Sequence, residues 1–260
     1  MNPGLNPVLE VSHLKKVFRT EGKPDFTALW DVTFTLYPGE ILGIVGESGS
    51  GKSTIAKSVM RLIDSTEGSI SVCGKDITHR KGKDLRELYR SIQMVFQSPA
   101  QSFDPRRTLG YGIGESLKNA GVSRAEIRRK VADLLELCGL PAEFARRYPH
   151  QVSGGECQRA AIARALAISP DIIIFDEATS ALDVTVQQDI MNFITSLREQ
   201  HNLSYLFICH NLALVQSFCD RILVMKDGKI VEEGETDAVI WNPQSEYTKQ
   251  LLAACAKISG

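Results

Sequence analysis

Near the N-terminus apolar and polar positions alternate, as in Val8-Leu9-Glu10-Val11 and Thr33-Phe34-Thr35-Leu36, which predicts antiparallel strands joined at Pro38-Gly39-Glu40. Ile41-Leu42-Gly43-Ile44-Val45 is apolar throughout and predicts a buried strand running into a glycine-rich turn. Ser53 to Leu62 then suits a helix, and Gly68 to Val72 returns to strand. From about Thr108 to Ala167 the pattern turns helical, with Ile127, Val131, Leu134, Leu135 and Cys138 spaced three and four apart on one face. Beyond it come a strand at Ile172 to Phe175, a helix from Val186 to Gln200, a strand at Tyr205 to Cys209, a helix near Leu212 to Phe218 and a hairpin at Asp227-Gly228. Strands alternating with helices predict a mostly parallel sheet carrying a helical insertion.

Two segments add chemistry to this frame. Gly46-Glu47-Ser48-Gly49-Ser50-Gly51-Lys52-Ser53 fits the phosphate-loop pattern G-x-x-x-x-G-K-[ST] and lies between a predicted strand and a predicted helix. Its glycines let backbone N–H groups converge on phosphate oxygens, the helix start up to Thr54 adds a positive dipole end, and Lys52 supplies a mobile charge. Ser53 is placed to hold Mg²⁺. The apolar strand Ile172 to Phe175 ends in Asp176-Glu177, at the carboxyl edge where ligands of open α/β sheets lie. Asp176 is expected to orient the metal and Glu177 to accept a proton from an attacking water.

Val152-Ser153-Gly154-Gly155-Glu156-Cys157-Gln158-Arg159 precedes a helix and resembles the signature motif of ABC ATPases. That resemblance implies that Ser153, Gly154 and Gly155 contact ATP held by an opposite subunit. It also implies that Gln97, in Met94-Val95-Phe96-Gln97-Ser98-Pro99, touches Mg²⁺ or the water and couples the site to the helical insertion. Ser180-Ala181-Leu182-Asp183 resembles the D-loop, and His210 the switch histidine that senses the γ-phosphate. Phe18 is the candidate for stacking on adenine, with Phe26 the alternative. One departure is Glu156, which stands where the signature usually carries glutamine. Ser102-Phe103-Asp104-Pro105-Arg106, Asp183-Val184-Thr185-Val186-Gln187 and the ending Asn242-Pro243-Gln244-Ser245-Glu246-Tyr247-Thr248 resemble the oligopeptide, dipeptide and nickel importer ATPases.

The fold implied is a RecA-like P-loop α/β core with an antiparallel β subdomain over residues 8–97 and 169–235, a helical subdomain over 98–168 and a C-terminal extension over 236–260. The function implied is an ATP- and Mg²⁺-dependent ATPase that powers an importer for peptides, nickel or a metallophore complex. Its partners would be a second ABC ATPase subunit, identical or a paralogue, two transmembrane permease subunits and, indirectly, an extracytoplasmic solute-binding protein. A soluble, non-transport ABC ATPase is the alternative class.

Composition narrows this further. The 260 residues carry a net charge of −1 and a pI near 6.5, which predicts no nucleic-acid partner. No apolar run approaches the length of a membrane span, and Met1 to Pro7 lacks the features of a secretory signal. The expected location is therefore peripheral, on the cytoplasmic face of the inner or plasma membrane. Cys73, Cys138, Cys157, Cys209, Cys219 and Cys255 form no C-x-x-C pair, and the spacing of Cys209, His210 and Cys219 matches no zinc pattern, so reduced structural thiols are expected.

Overall fold

The computed structural model describes residues 5–22, 24–179 and 183–256. Ser180, Ala181 and Leu182 of the D-loop stretch lie outside them, as do the first and last four residues.

β1 (Leu9–Phe18) and β2 (Phe26–Leu36) pair antiparallel, with Leu9 opposite Leu36 and Val11 opposite Phe34. Their connection is the segment 19–25. Pro38-Gly39-Glu40 does not join this pair but leads from β2 to β3 (Ile41–Val45), a correction to the sequence reading. The reason is burial: all five β3 residues are buried, so this strand needs cover on both faces and belongs to a different sheet. α1 (Lys52–Val59) follows, and Arg61 at φ 54° turns the chain away soon after its end. β4 (Glu67–Val72) and β5 (Lys75–Asp76) complete a four-stranded antiparallel sheet in the order β2-β1-β4-β5.

α2 (Lys83–Ser91) and β6 (Ile92–Val95) were not expected from the sequence. α2 buries only Leu88, so its pattern carries little signal. α3 (Leu109–Asn119), α4 (Arg124–Leu137) and α5 (Gly154–Leu166) form the helical region, and their N-caps Thr108, Ser123 and Ser153 each accept a bond from the third helical N–H. β7 (Ile172–Asp176), α6 (Val184–His201), β8 (Ser204–Ile208), α7 (Leu212–Phe218), β9 (Arg221–Lys226) and β10 (Lys229–Glu235) return to strand–helix alternation. α8 (Thr236–Trp241) and α9 (Glu246–Ala256) close the described chain.

The second sheet has the order β10-β9-β3-β8-β7-β6 and is parallel except for the β9–β10 hairpin. At the hairpin turn Asp227 and Gly228 both have positive φ, which suits the twist of the flanking strands. Successive side chains of this sheet enter opposite cores. Ile41, Ile173, Phe175, Tyr205, Phe207 and Ile222 pack toward α3–α7, while Leu42, Ile44, Ile172, Ile174, Leu206 and Leu223 pack toward α1 and the antiparallel sheet.

The amino-terminal ends of β3 and β9 are tied by a buried ion pair. Arg221, 7% exposed, donates from Nε to Glu40 Oε1 at 2.9 Å, from Nη1 to Glu233 Oε1 at 3.0 Å, and from Nη2 to the Thr35 carbonyl. Burial pushes the Glu40 carboxyl up, against the Tyr37 N–H and the Arg221 charge that favour its ionised form. Arg221→Met should destabilise the chain by about 3 kcal/mol, because Glu40 is left buried without its cation. Adding Glu40→Gln should recover part of that loss, and urea denaturation of the two variants measures the difference.

Candidate nucleotide site

The phosphate loop is pressed between two strands. A β-carbon on Gly46 would lie 2.2 Å from the Met225 carbonyl oxygen of β9, and one on Gly51 would lie 2.8 Å from the Ala28 carbonyl oxygen of β2. Their φ values of 150° and 107° also favour glycine. The loop is hydrogen-bonded from outside as well, since Gly228 N–H donates to the Ser50 carbonyl at 3.0 Å. Ser48 and Gly49 form the exposed crown.

Gly51 caps α1 without a side-chain bond, so the first-turn N–H groups of Lys52, Ser53 and Thr54 have no intrahelical acceptor and no cap competing for them. Among the described residues Ser50 Oγ is buried without a hydrogen-bond partner. This cradle fits an anion of phosphate size. Lys52 is 4% exposed and donates from Nζ to the carbonyls of Gly46 and Glu47, both at 2.7 Å. Burial lowers its pKa, while the nearby charges of Glu177 and Asp176 oppose that shift.

Ser53 Oγ donates to Asp176 Oδ1 at 2.8 Å, joining α1 to the end of β7. Burial raises the Asp176 pKa, the bond from Ser53 works against this, and the adjoining Glu177 adds to it. A hydroxyl and a carboxylate held this close fit the hard oxygen donor set of Mg²⁺. Glu177 turns the chain at φ 49°, a conformation costly for a residue with a β-carbon, and its N–H donates to the Ile208 carbonyl at 3.0 Å. Its Oε2 accepts from Gln97 Nε2 at 3.1 Å and lies 3.9 Å from His210 Nδ1. Thus Lys52, Ser53, Gln97, Asp176, Glu177 and His210, far apart in sequence, gather at the carboxyl edge of the parallel strands.

Other expected site residues stand apart from this cluster. Phe18 and Phe26 face each other across β1 and β2, 38% and 60% exposed, with Lys16 Nζ 4.9 Å from the Phe18 ring centre. Phe26 is two residues along the strand from Ala28, which backs Gly51. Ser153 caps α5 and forms a reciprocal capping box with Glu156: Ser153 N–H donates to Glu156 Oε2 at 2.7 Å and Glu156 N–H to Ser153 Oγ at 3.3 Å. Gly154 and Gly155 continue that helix start, where a β-carbon on Gly155 would meet Val186 of α6 at 2.7 Å. Among the described residues no hydrogen bond joins Ser153, Gly154 or Gly155 to residues 46–54. One contact escaped the sequence reading: Tyr247 of α9 accepts the Glu47 N–H at 3.3 Å. Its only trace in sequence is the terminal Asn-Pro-x-Ser-x-Tyr-Thr stretch.

The fold and this edge cluster define a P-loop nucleotide-binding protein. The family described as ABC transporter matches residues 29–180, more than half of the chain. The chain belongs to the ABC transporter family. It is 44% identical over 250 residues to the oligopeptide transport ATP-binding protein OppF of Bacillus subtilis, covering 95% of this chain and 82% of OppF. It is 47% identical over 228 residues to the glutathione import ATP-binding protein GsiA of Salmonella typhimurium, but that match covers 87% of this chain and only 37% of GsiA. The solved dimeric cassette MJ0796 in a post-hydrolysis state with ADP and Pi superposes with a TM-score of 0.80 at 30% identity, covering 88% of this chain and 98% of that one. CbiO1 from Clostridium perfringens has the same fold, at TM-score 0.80 and 24% identity, covering 97% of each chain.

Gly51→Ala should strain the loop, since the added methyl meets Ala28 O and the backbone φ is 107°. A loss of about 1–3 kcal/mol is expected, together with weaker ATP binding; thermal melting with and without ATP reads both.

Proposed function

We propose that this chain binds ATP with Mg²⁺ and hydrolyses it as the motor subunit of an importer for peptides or similarly small solutes. The observation that carries this reading is the convergence of Lys52, Ser53, Asp176, Glu177, Gln97 and His210 on one strand edge. The phosphate chain would lie across the first turn of α1, held by its N–H groups, with Lys52 turning from the Gly46 and Glu47 carbonyls toward the β- and γ-phosphates. Ser53 and Asp176 would hold Mg²⁺ with help from Gln97. The ion, when bound, would offset phosphate charge and polarise the γ-phosphoryl group.

Glu177 then accepts the proton of the attacking water. Gln97 and His210 flank its Oε2 and orient both carboxylate and water, His210 from the side facing the γ-phosphate. Ser153, Gly154 and Gly155 belong to a second half-site. Lying apart from this chain's own cradle, they would cap ATP held by another cassette, identical or a paralogue. Phe18, or its cross-strand neighbour Phe26, would stack on adenine.

The chain would dock onto two permease subunits at the cytoplasmic face, a placement supported by the naming of OppF and GsiA as transport and import ATP-binding proteins; no described helix is long and apolar enough to cross a membrane. A groove of about 800 Å³ between α3 and α4, lined by Thr108, Tyr111, Lys118, Ile127 and Arg128, adjoins the stretch from Gln97 to Arg107 and suits a cytoplasmic helix of such a subunit. OppF and GsiA are named for oligopeptide and glutathione import, which favours peptide-like cargo, delivered by an extracytoplasmic binding protein, over nickel or a metallophore.

Glu177→Gln keeps the shape and removes the base, so ATP binding should persist while single-turnover hydrolysis slows at least ~10²-fold. Near-normal turnover at this chain's own site would remove Glu177 as base. Separately, a cysteine at Tyr111 should crosslink to a permease subunit in the assembled complex; a complex that forms without any crosslink there excludes the groove.

A further inference from the structure

The peptide group between Gly46 and Glu47 is gripped from both sides. Its carbonyl, Gly46 O, accepts from Lys52 Nζ at 2.7 Å, and its N–H, on Glu47, donates to the Tyr247 hydroxyl at 3.3 Å. This grip matters because Gly46, at φ 150°, has the backbone freedom that would let the peptide plane turn over. Tyr247 is itself fixed. The residue is 8% exposed, and Lys226 Nζ lies 4.8 Å from its ring centre. The chain leading into α9 is tied to β10 by Glu232, whose two carboxylate oxygens accept the N–H groups of Gln244 at 2.7 Å and Ser245 at 3.1 Å.

We propose that Tyr247 is a positioning residue for the phosphate loop, through which the C-terminal helix sets the affinity for ATP. The inference rests on the proposed reading that Lys52 turns from Gly46 O to the phosphates when ATP binds. Without nucleotide, Lys52 and Tyr247 hold the same peptide from opposite sides. With ATP bound, the Lys52 ammonium is drawn toward the phosphates and its bond to Gly46 O weakens, so the Tyr247 hydroxyl carries more of the side-chain hold. The hydroxyl therefore contributes more to the bound state than to the free state, and its loss appears as weakened binding rather than as a less stable fold. Glu232 acts one step further back, by holding α9 where Tyr247 can reach the loop.

The test uses the full chain and MgATP, with dissociation constants from titration calorimetry and melting temperatures of the nucleotide-free protein. Tyr247→Phe keeps the ring and removes only the hydroxyl. It should weaken ATP binding about three- to ten-fold, the span of one net hydrogen bond, while the nucleotide-free melting temperature stays within about 2 °C of the parent. Glu232→Gln should shift affinity in the same direction by less, because one amide oxygen replaces two carboxylate acceptors. Unchanged ATP affinity in Tyr247→Phe overturns the proposal. So does a weaker affinity accompanied by a matching fall in nucleotide-free stability, which would mark Tyr247 as packing alone. Lys52→Ala separates this from the underlying reading: if the parent chain binds no ATP, or Lys52→Ala binds it as the parent does, the phosphate-site assignment itself fails.

Discussion

The proposed nucleotide site depends on backbone meeting backbone without a β-carbon between. Gly46 lies against the Met225 carbonyl and Gly51 against the Ala28 carbonyl, so the loop touches one strand from each of the two sheets. Gly228 adds a second tie to the same loop, and its own close approach to Ala28 brings β2 and the β9–β10 hairpin together. Trp30 N–H completes the junction by donating to Gly228 O at 2.9 Å. The two sheets are thus joined at the point where phosphate would bind, and the antiparallel sheet is part of the loop's support rather than an appendage to it.

That rigid loop sets where charge can reside. Lys52, at 4% exposure, and Asp176, at 8%, are both disfavoured as ions by burial; Glu177 and then Asp176 favour the Lys52 cation, while the bond from Ser53 and the charges of Lys57 and Lys52 favour the Asp176 carboxylate. Lys52 rests on backbone carbonyls and not on Asp176, which instead accepts from Ser53. Among the described residues the Lys52 ammonium is held by carbonyls rather than by a direct ion pair, so it can turn toward an anion without first breaking one. Glu177, one residue past the buried strand and with a side chain 21% exposed, sits at the boundary where water can reach it.

Much of this was legible in sequence because burial on both faces leaves an unmistakable pattern. Ile172 to Phe175 and Ile41 to Val45 read as parallel strands because every position is apolar, and the phosphate loop and the Asp176-Glu177 pair fall at their ends. What could not be read were features decided by distant contacts. α2 presents one buried leucine and otherwise charged or half-exposed residues, so its helical period is faint. The Pro38-Gly39 turn looked like a hairpin because local sequence cannot tell which sheet the following strand joins. Phe18 and Phe26 could not be ranked because the register places them opposite each other, making them two parts of one exposed aromatic patch. Tyr247 contacts Glu47 across 200 residues of chain, a pairing with no local signal.

The odd residue of the signature is fixed by its place in the first turn of α5. Glutamine is usual where this chain has Glu156, the one departure from the signature motif. In the structure Glu156 is the third residue of α5 and turns back to accept the Ser153 N–H at 2.7 Å, a bond that holds its carboxyl below the usual range against a smaller effect of burial. A glutamine side chain would accept the same bond through its amide oxygen, so the cap geometry does not distinguish the two. What differs is charge. A carboxylate in the first turn favours the positive end of the helix dipole and steadies α5 in the isolated chain. It also places a negative charge beside the Ser153 hydroxyl, the group proposed above to meet a phosphate of a second cassette. The residue thus strengthens the helix start while making that start a poorer receptor for an anion, two consequences of one charge at one position.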